Sequence, residues 1–228
     1  MISCVFLDLD DTILDFRQAE RTALGRTLAE LGISSTPDLA EQYSRINAAC
    51  WKQLERGELT RRQVKTIRFA RLFSQFGLDA DPEAASERYM HYLGQGHWFL
   101  PGAEEAVARL SKKYRLFLAS NGTASIQKSR MTSADLYRYF EQCFVSEEMG
   151  ASKPSPVFFR TAFARIPDFD PARAIIAGDS LTADIRGGIQ AGIRTCWVNT
   201  RQLPPNPEIR PDYEIPSLDR LEGLLETL

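Results

Sequence analysis

A chain of 228 residues, 43% hydrophobic and 25% charged, suits one large globular domain or a core domain with a smaller insert. With 28 Lys and Arg against 30 Asp and Glu, the net charge is −2, and no basic excess points to a nucleic acid polymer or a membrane surface. The longest apolar runs fall far short of the roughly 20 residues a membrane span needs. Cys4, Cys50, Cys143 and Cys196 are scattered with no Cys-x-x-Cys pair, the pattern of reduced thiols in a cytoplasmic protein. His91 and His97 are the only histidines, which argues against a His-rich zinc site.

The first ten residues carry no basic stretch or cleavage site and read as a strand, not a signal peptide. "CVFL" (4–7) is apolar at successive positions, as expected of a strand buried on both faces of a parallel sheet. It runs into four aspartates, Asp8, Asp10, Asp11 and Asp15, within "FLDLDDTILDF". Residues 16 to about 97 then read as helices. Leu24, Leu28 and Leu31 mark one, closed by Gly32; Leu39, Tyr43, Ile46 and Cys50 mark a second. Thr60 and Gln63 form a capping-box pattern for a third, ended by Gly77, and Asp81-Pro82 opens a fourth. The six Lys or Arg from Arg56 to Arg71 suit a solvated helix face, or a field that draws anionic substrates. Trp51, His97, Trp98 and Phe99 suit either a base pocket or ordinary packing.

Further buried runs follow at "LFLA" (116–119), "CFV" (143–145), "AIIAG" (174–178) and "TCWV" (195–198). Amphipathic segments at 102–112, 155–166 and 181–191 separate most of them. Gly187, Gly188 and Gly192 read as helix-packing and helix-ending glycines, and "PPNP" (204–207) as a surface loop. Alternating strand and helix predicts an α/β fold with a doubly wound, Rossmann-like parallel sheet. The expected division is a catalytic core of residues 1–15 and 98–228 with a helical insert, 16–97.

In such a sheet, ligands bind outside the carboxyl ends of the strands. Three of the predicted strands end at Asp8, at Ser120-Asn121 and at Gly178-Asp179, so Asp8, Asp10, Ser120, Asn121 and Asp179 converge on one edge. Lys153, in "GASKPSP", is positioned to join them. Clustered carboxylates need a cation or a proton, and an all-oxygen donor set suits Mg²⁺ beside a phosphate. A Lys, a Ser hydroxyl and backbone N–H groups suit the phosphate's oxygens. One carboxylate can attack phosphorus and a second can move the proton of the leaving oxygen. Taken alone, an Asp after a strand more often makes a turn or a cap, and that reading stays with Asp11 and Asp15.

"DLDDT" (8–12), "LFLASNG" (116–122), "SKP" (152–154) and "GDSLTAD" (178–184) resemble, in order, the four motifs of the haloacid dehalogenase-like phosphatase superfamily. The insert after the first motif resembles that superfamily's helical cap. The resemblance implies that Asp8 is the nucleophile and a Mg²⁺ ligand. Asp10 would be the general acid and base, and its carbonyl a further metal ligand. Ser120 and the backbone at Asn121 would hold the phosphoryl group, Lys153 would steady Asp8 and the phosphate, and Asp179 would be the acidic metal ligand of the fourth motif. Asp184 would support these ligands from behind.

"WKQLERGELT" (51–60), "VSEEMGASKP" (145–154) and "GDSLTADIRGGIQAGIRTCWVN" (178–199) are similar to the YjjG-type pyrimidine 5'-nucleotidases. This implies hydrolysis of nucleoside 5'-monophosphates by a monomer or homodimer acting on a small-molecule phosphate monoester. Phosphates of sugars, sialic acid or small acids such as phosphoglycolate stay open as substrates, as does a phosphomutase. In dehalogenase relatives the second acid of the first motif is not Asp, so Asp10 argues for phosphoryl chemistry. A phospho-accepting receiver domain gathers similar groups, but is about half this length and has no helical insert.

Overall fold

The computed structural model describes Met1–Leu228, which forms two compact units: Met1–Asp15 with His97–Leu228, and Phe16–Gly96. The larger unit is built on six strands: β1 (Cys4–Leu7), β2 (Arg115–Ser120), β3 (Gln142–Val145), β4 (Ala174–Gly178), β5 (Arg194–Val198) and β6 (Tyr213–Ile215). They form one sheet in the order β3-β2-β1-β4-β5-β6, with every neighbouring pair parallel. The strand order reverses at β1, which pairs with β2 on one side and β4 on the other. That is the switch point at which a doubly wound sheet opens a crevice. In the register Leu7 lies beside Leu118 and Ala177, so the residues that follow β1, β2 and β4 leave the sheet side by side.

The smaller unit is an insert of four helices, α1 (Phe16–Glu30), α2 (Pro37–Glu55), α3 (Arg61–Phe76) and α4 (Pro82–Leu93). Its boundaries follow from local chemistry. Thr36 and Asp81 accept backbone N–H groups at the N-termini of α2 and α4, each followed by a proline at the first helical position. Thr60 and Gln63 close a capping box on α3, and Gly77 ends it in the left-handed region at φ 61°. The rings of Tyr43, Phe69 and Tyr89 pack together at 5.1–5.5 Å in its core. The basic stretch is not wholly a solvated face. Arg68 is buried, stacks over Tyr89 and donates to Asn47 Oδ1 at 3.0 Å, while Asn47 donates to the buried Glu20 at 2.7 Å.

In the larger unit the sheet is flanked by α5 (Ala103–Leu110), α6 (Ala124–Ser133), α7 (Ser146–Met149), α8 (Pro156–Phe163), α9 (Arg186–Ala191) and α10 (Leu221–Leu225). Alternate residues of β1 enter two separate apolar cores. Val5 and Leu7 join α5 and α10 residues such as Val107, Leu110, Leu221 and Leu225. Cys4 and Phe6 join Phe117, Phe144 and the α8 residues Phe158, Phe159 and Ala162. Both faces of the strand are covered, which is why its sequence shows no polar alternation. Deleting a ring such as Phe6, fully buried between four other phenylalanines, would cost about 3–5 kcal/mol. Gly188 leaves room for Ile176 and Thr195, and Gly187 for Phe159, as the packing reading of those glycines requires. Gly192 ends α9 at φ 72°.

Candidate active site

The site is built on the strand ends. Asp8 follows β1, and its N–H donates to Ala177 O at 3.0 Å, which continues the sheet for one residue beyond the strand. The residue is 7% exposed. The chain then turns sharply: Leu14 N–H donates to Leu9 O, Asp11 N–H to Leu14 O, and Asp11 takes φ 56°. Asp11 thus makes the turn, in the left-handed region that Asp tolerates better than most residues. Asp15 N–H donates to Trp98 O, joining the two chain segments of the larger unit just where the insert leaves it.

Lys153 is the centre of the buried charge. At 1% exposure, its Nζ donates to Asp8 Oδ1 at 2.7 Å, to Asp184 Oδ1 at 2.6 Å and to the carbonyl of Ala119. Burial alone would push this ammonium towards losing its proton, but Asp184 and then Asp8 outweigh that and hold it well above the ordinary lysine value. Asn121 locks the Lys153 backbone: its side chain donates to Lys153 O and accepts from Lys153 N–H, both at 2.8 Å. The Asn121 side chain thereby ties the end of β2 to the Lys153 loop.

Asp179 follows β4. Its N–H donates to Thr12 Oγ1 at 3.1 Å and its carbonyl accepts from Trp197 Nε1 at 2.8 Å. A π-helical turn, Leu181–Ile185, then carries Asp184 back beneath the strand ends. Asp184 is 1% exposed and accepts from Ser180 N–H at 3.0 Å as well as from Lys153. Gly178 makes this possible, because a Cβ there would stand 2.2 Å from Asp184 Oδ2.

One carboxylate oxygen from each of Asp8, Asp179 and Asp184 lies within 4.8 Å of the others. Lys153 pairs with Asp8 and Asp184, while Asp179 has only the partly exposed Arg201 at 3.9 Å, so three carboxylates stand by one buried ammonium and two negative charges lack a partner ion of equal burial. The protein alone pays for this: burial first, then Asp184 and Asp10, push the Asp8 carboxyl from 3.8 up to about 7 against the pull of Lys153. Burial, then Asp8 and Asp184, push Asp179 in the same direction. A hard divalent cation fits such an all-oxygen, doubly negative set, and Mg²⁺ is the natural occupant beside a phosphate. Asp8 and Asp179 would hold it, with Asp184 supplying charge while its oxygens stay on Lys153 and Ser180 N–H.

The chain also matches a known protein family. The model of the haloacid dehalogenase-like hydrolases covers residues 5–198, which include all four motifs and the site just described. The chain belongs to the haloacid dehalogenase-like hydrolases. Among relatives of this family, YfnB of Bacillus subtilis, named a HAD-hydrolase, is 39% identical over 97% of this chain and 94% of its own. The crystal structure of YfnB bound to magnesium superposes with a TM-score of 0.94 at 38% identity, covering 98% of each chain. The pyrimidine 5'-nucleotidase PynA of Streptococcus pneumoniae is 37% identical over 97% of this chain and 94% of its own. The pyrimidine 5'-nucleotidase YjjG of Escherichia coli is 28% identical over 97% of this chain and 96% of its own.

Within this haloacid dehalogenase-like site Asp8, Ser120, Asn121 and Asp179 stand at the ends of the adjacent strands β1, β2 and β4, and Lys153 reaches Asp8 from its loop after α7, while the Asp10 side chain stands apart from the carboxylate cluster. That side chain, 28% exposed, is ion-paired with Arg130 and accepts from Gln127 Nε2 at 2.8 Å. Sequence reasoning missed Gln127, Arg130 and Thr12. Thr12 lies inside the first motif, but nothing in its neighbourhood signals that its hydroxyl would anchor Asp179.

Proposed function

We propose that this protein is a Mg²⁺-dependent phosphatase that hydrolyses phosphate monoesters through an aspartyl-phosphate on Asp8, with pyrimidine nucleoside 5'-monophosphates as its preferred substrates. The observation that carries the chemistry is the buried Asp8 carboxylate, fixed by Lys153 at 2.7 Å, with a second acid two residues on. The magnesium-bound YfnB structure supports the metal, and the likeness to PynA and YjjG supports the nucleotide.

In the first half-reaction an Asp8 oxygen bonds to phosphorus as the bond from phosphorus to the ester oxygen breaks. Asp10 gives its proton to that leaving oxygen, which would otherwise depart as an alkoxide. In the second, Asp10 takes a proton from water, the resulting hydroxide bonds to phosphorus, and the bond to Asp8 breaks. Phosphate leaves, Asp8 is a carboxylate again and Asp10 has regained its proton. Lys153 holds the Asp8 carboxylate in one orientation and offsets charge on the phosphoryl oxygens, while Ser120 Oγ and the backbone at Asn121 bind them. The bound Mg²⁺ supplies charge neutralisation, without which anionic carboxylate and anionic phosphate repel. Asp10 also weighs against halide displacement, in which the leaving group needs no proton.

The test is phosphate release with Mg²⁺ across nucleoside 5'-monophosphates, sugar phosphates and phosphoglycolate. Pyrimidine nucleotides should be turned over fastest, and Asp8→Asn should be inactive while remaining folded. Normal turnover by Asp8→Asn would overturn the mechanism. Strong release from a sugar phosphate with none from any nucleotide would overturn the substrate.

A further inference from the structure

Helix α6 carries two polar side chains, Gln127 and Arg130, each only 1% exposed, that none of the four motifs contains. Gln127 Nε2 stands 2.8 Å from Asp10 Oδ2 and 2.8 Å from Ser120 Oγ. The two hydrogens of one amide nitrogen therefore join the acid after β1 to the hydroxyl at the end of β2. Gln127 Oε1 accepts from Arg130 Nη1 at 3.1 Å, and the same guanidinium nitrogen bonds Asp10 Oδ1. The amide has one workable orientation. Turned over, its oxygen would face the Asp10 carboxylate and its NH₂ would face a guanidinium, both repulsive.

The consequence falls on Ser120. Its Oγ accepts from Gln127 Nε2 at 2.8 Å and from Gly122 N–H at 3.2 Å. A hydroxyl has two lone pairs and one proton, so with both lone pairs engaged by N–H groups the side chain can only donate. A phosphoryl oxygen can only accept. The arrangement needs space as well: a Cβ on Gly122 would stand 2.3 Å from Gln127 Nε2, so the position two residues after Ser120 must lack one.

We propose that Gln127, oriented by Arg130, is a positioning residue that commits the Ser120 hydroxyl as a hydrogen-bond donor to the phosphoryl group and fixes the Asp10 side chain for the leaving oxygen. Ser120, Gly122, Gln127 and Arg130 form one device, and the inference rests on the phosphatase reading above. A structural contact alone would stabilise α6 without setting the hydroxyl's polarity. The two roles separate in kinetics.

The experiment compares Gln127→Glu and Gln127→Met with the full-length Mg²⁺-loaded protein, on an alkyl phosphate and on 4-nitrophenyl phosphate, with inorganic phosphate as inhibitor. In Gln127→Glu an acceptor replaces the donor, and the Ser120 proton turns towards it. Inhibition by inorganic phosphate should weaken about tenfold, the worth of one hydrogen bond to a charged group, and Gln127→Met should fall between this variant and the unmodified chain. The fall in kcat should be larger on the alkyl ester than on 4-nitrophenyl phosphate, whose leaving group needs no proton. On a Ser120→Ala background, Gln127→Glu should change phosphate inhibition less than twofold, because the group it acts through is gone. Gly122→Ala, which displaces the Gln127 side chain, should reproduce the pattern without touching residue 127.

Unchanged phosphate inhibition, independent multiplying losses from Ser120→Ala and Gln127→Glu, or an equal kcat loss on both esters would overturn the proposal. So would loss of the folded state in all of the Gln127 and Gly122 variants, since that is the mark of a purely structural network. If the unmodified protein releases phosphate from neither ester, the phosphatase reading fails instead.

Discussion

Removing the metal should make the stability of this protein fall as pH rises from about 5 to 8. The Asp8 carboxyl titrates near 3.8 when unfolded and near 7 in the metal-free fold, with burial the main cause and Asp184 and Asp10 adding to it. Between those values the unfolded chain has released its proton and the folded one has not, so the native state binds more protons and stability declines with pH. About 3 pH units at about 1.4 kcal/mol each gives a loss on the order of 4 kcal/mol, absent below pH 4 and complete above pH 7. Asp179 is displaced in the same direction and adds to the loss. About 2 of those pH units lie above pH 5, so with 1 kcal/mol moving the Tm of a chain of this size by about 2–4 °C, chelated protein should melt about 5–11 °C lower at pH 8 than at pH 5. Mg²⁺ should stabilise more at pH 8 than at pH 5, because protons compete with it for the same oxygens. The assay is thermal denaturation in chelator and in excess Mg²⁺ across that range, with Asp8→Asn as the control that should flatten the slope. A chelated protein as stable at pH 8 as at pH 5, or an Asp8→Asn profile parallel to that of the unmodified chain, would refute the reasoning.

Lys153→Met removes the only buried cation touching Asp8 and Asp184, and should cost about 3–5 kcal/mol of stability in chelator, part of it recovered on adding Mg²⁺. A melting temperature within 2 °C of the unmodified protein would count against the charge balance argued for the site. Gly178→Ala puts a Cβ 2.2 Å from Asp184 Oδ2, so the carboxylate must leave Lys153 and Ser180 N–H. Mg²⁺ affinity, read by calorimetric titration, should weaken about tenfold, and an unchanged affinity would remove Asp184 from the account of the metal site.

The sheet was legible wherever both its faces are covered. β1, β2 and β4 are apolar at consecutive positions because each alternates between two cores, and β5 sets Cys196 and Val198 into one of them and Trp197 against Ile185 and Ile209, so no solvent face interrupts the run. β6 is the opposite case. Tyr213–Ile215 is three residues long, lies at the sheet edge and exposes Glu214, so neither length nor pattern separates it from a loop. The insert's helices were legible for a different reason: their ends carry explicit chemistry, the Thr60–Gln63 box, Asp81-Pro82 and Gly77, and caps are local in sequence. Arg68 escaped because charge pattern alone treats a basic helix face as solvated, whereas its burial depends on Asn47 and Tyr89, twenty-one residues away in each direction.

The site divides along the same line. Asp8, Ser120, Asn121 and Asp179 could be placed because each follows a buried strand, and a parallel sheet brings such ends together whatever lies between them. What the strand ends do not specify is how each group is held, since those partners come from elements without an apolar signature. Helix α6, with the sequence ASIQKSRMTS, is the plainest instance: two of its three buried residues are Gln127 and Arg130, so the pattern that marks a packed helix is missing. Its inner face is polar because it packs against Asp10 and Ser120 rather than against a hydrocarbon core. A buried amide and guanidinium would be costly against an apolar surface, and here each is matched by a group the proposed reaction needs. Gln127 and Arg130, one helical turn apart, begin seven residues after the serine that ends β2, and that spacing is the trace the network leaves in the sequence. It reads as weak amphipathicity until Asp10 is known to lie opposite.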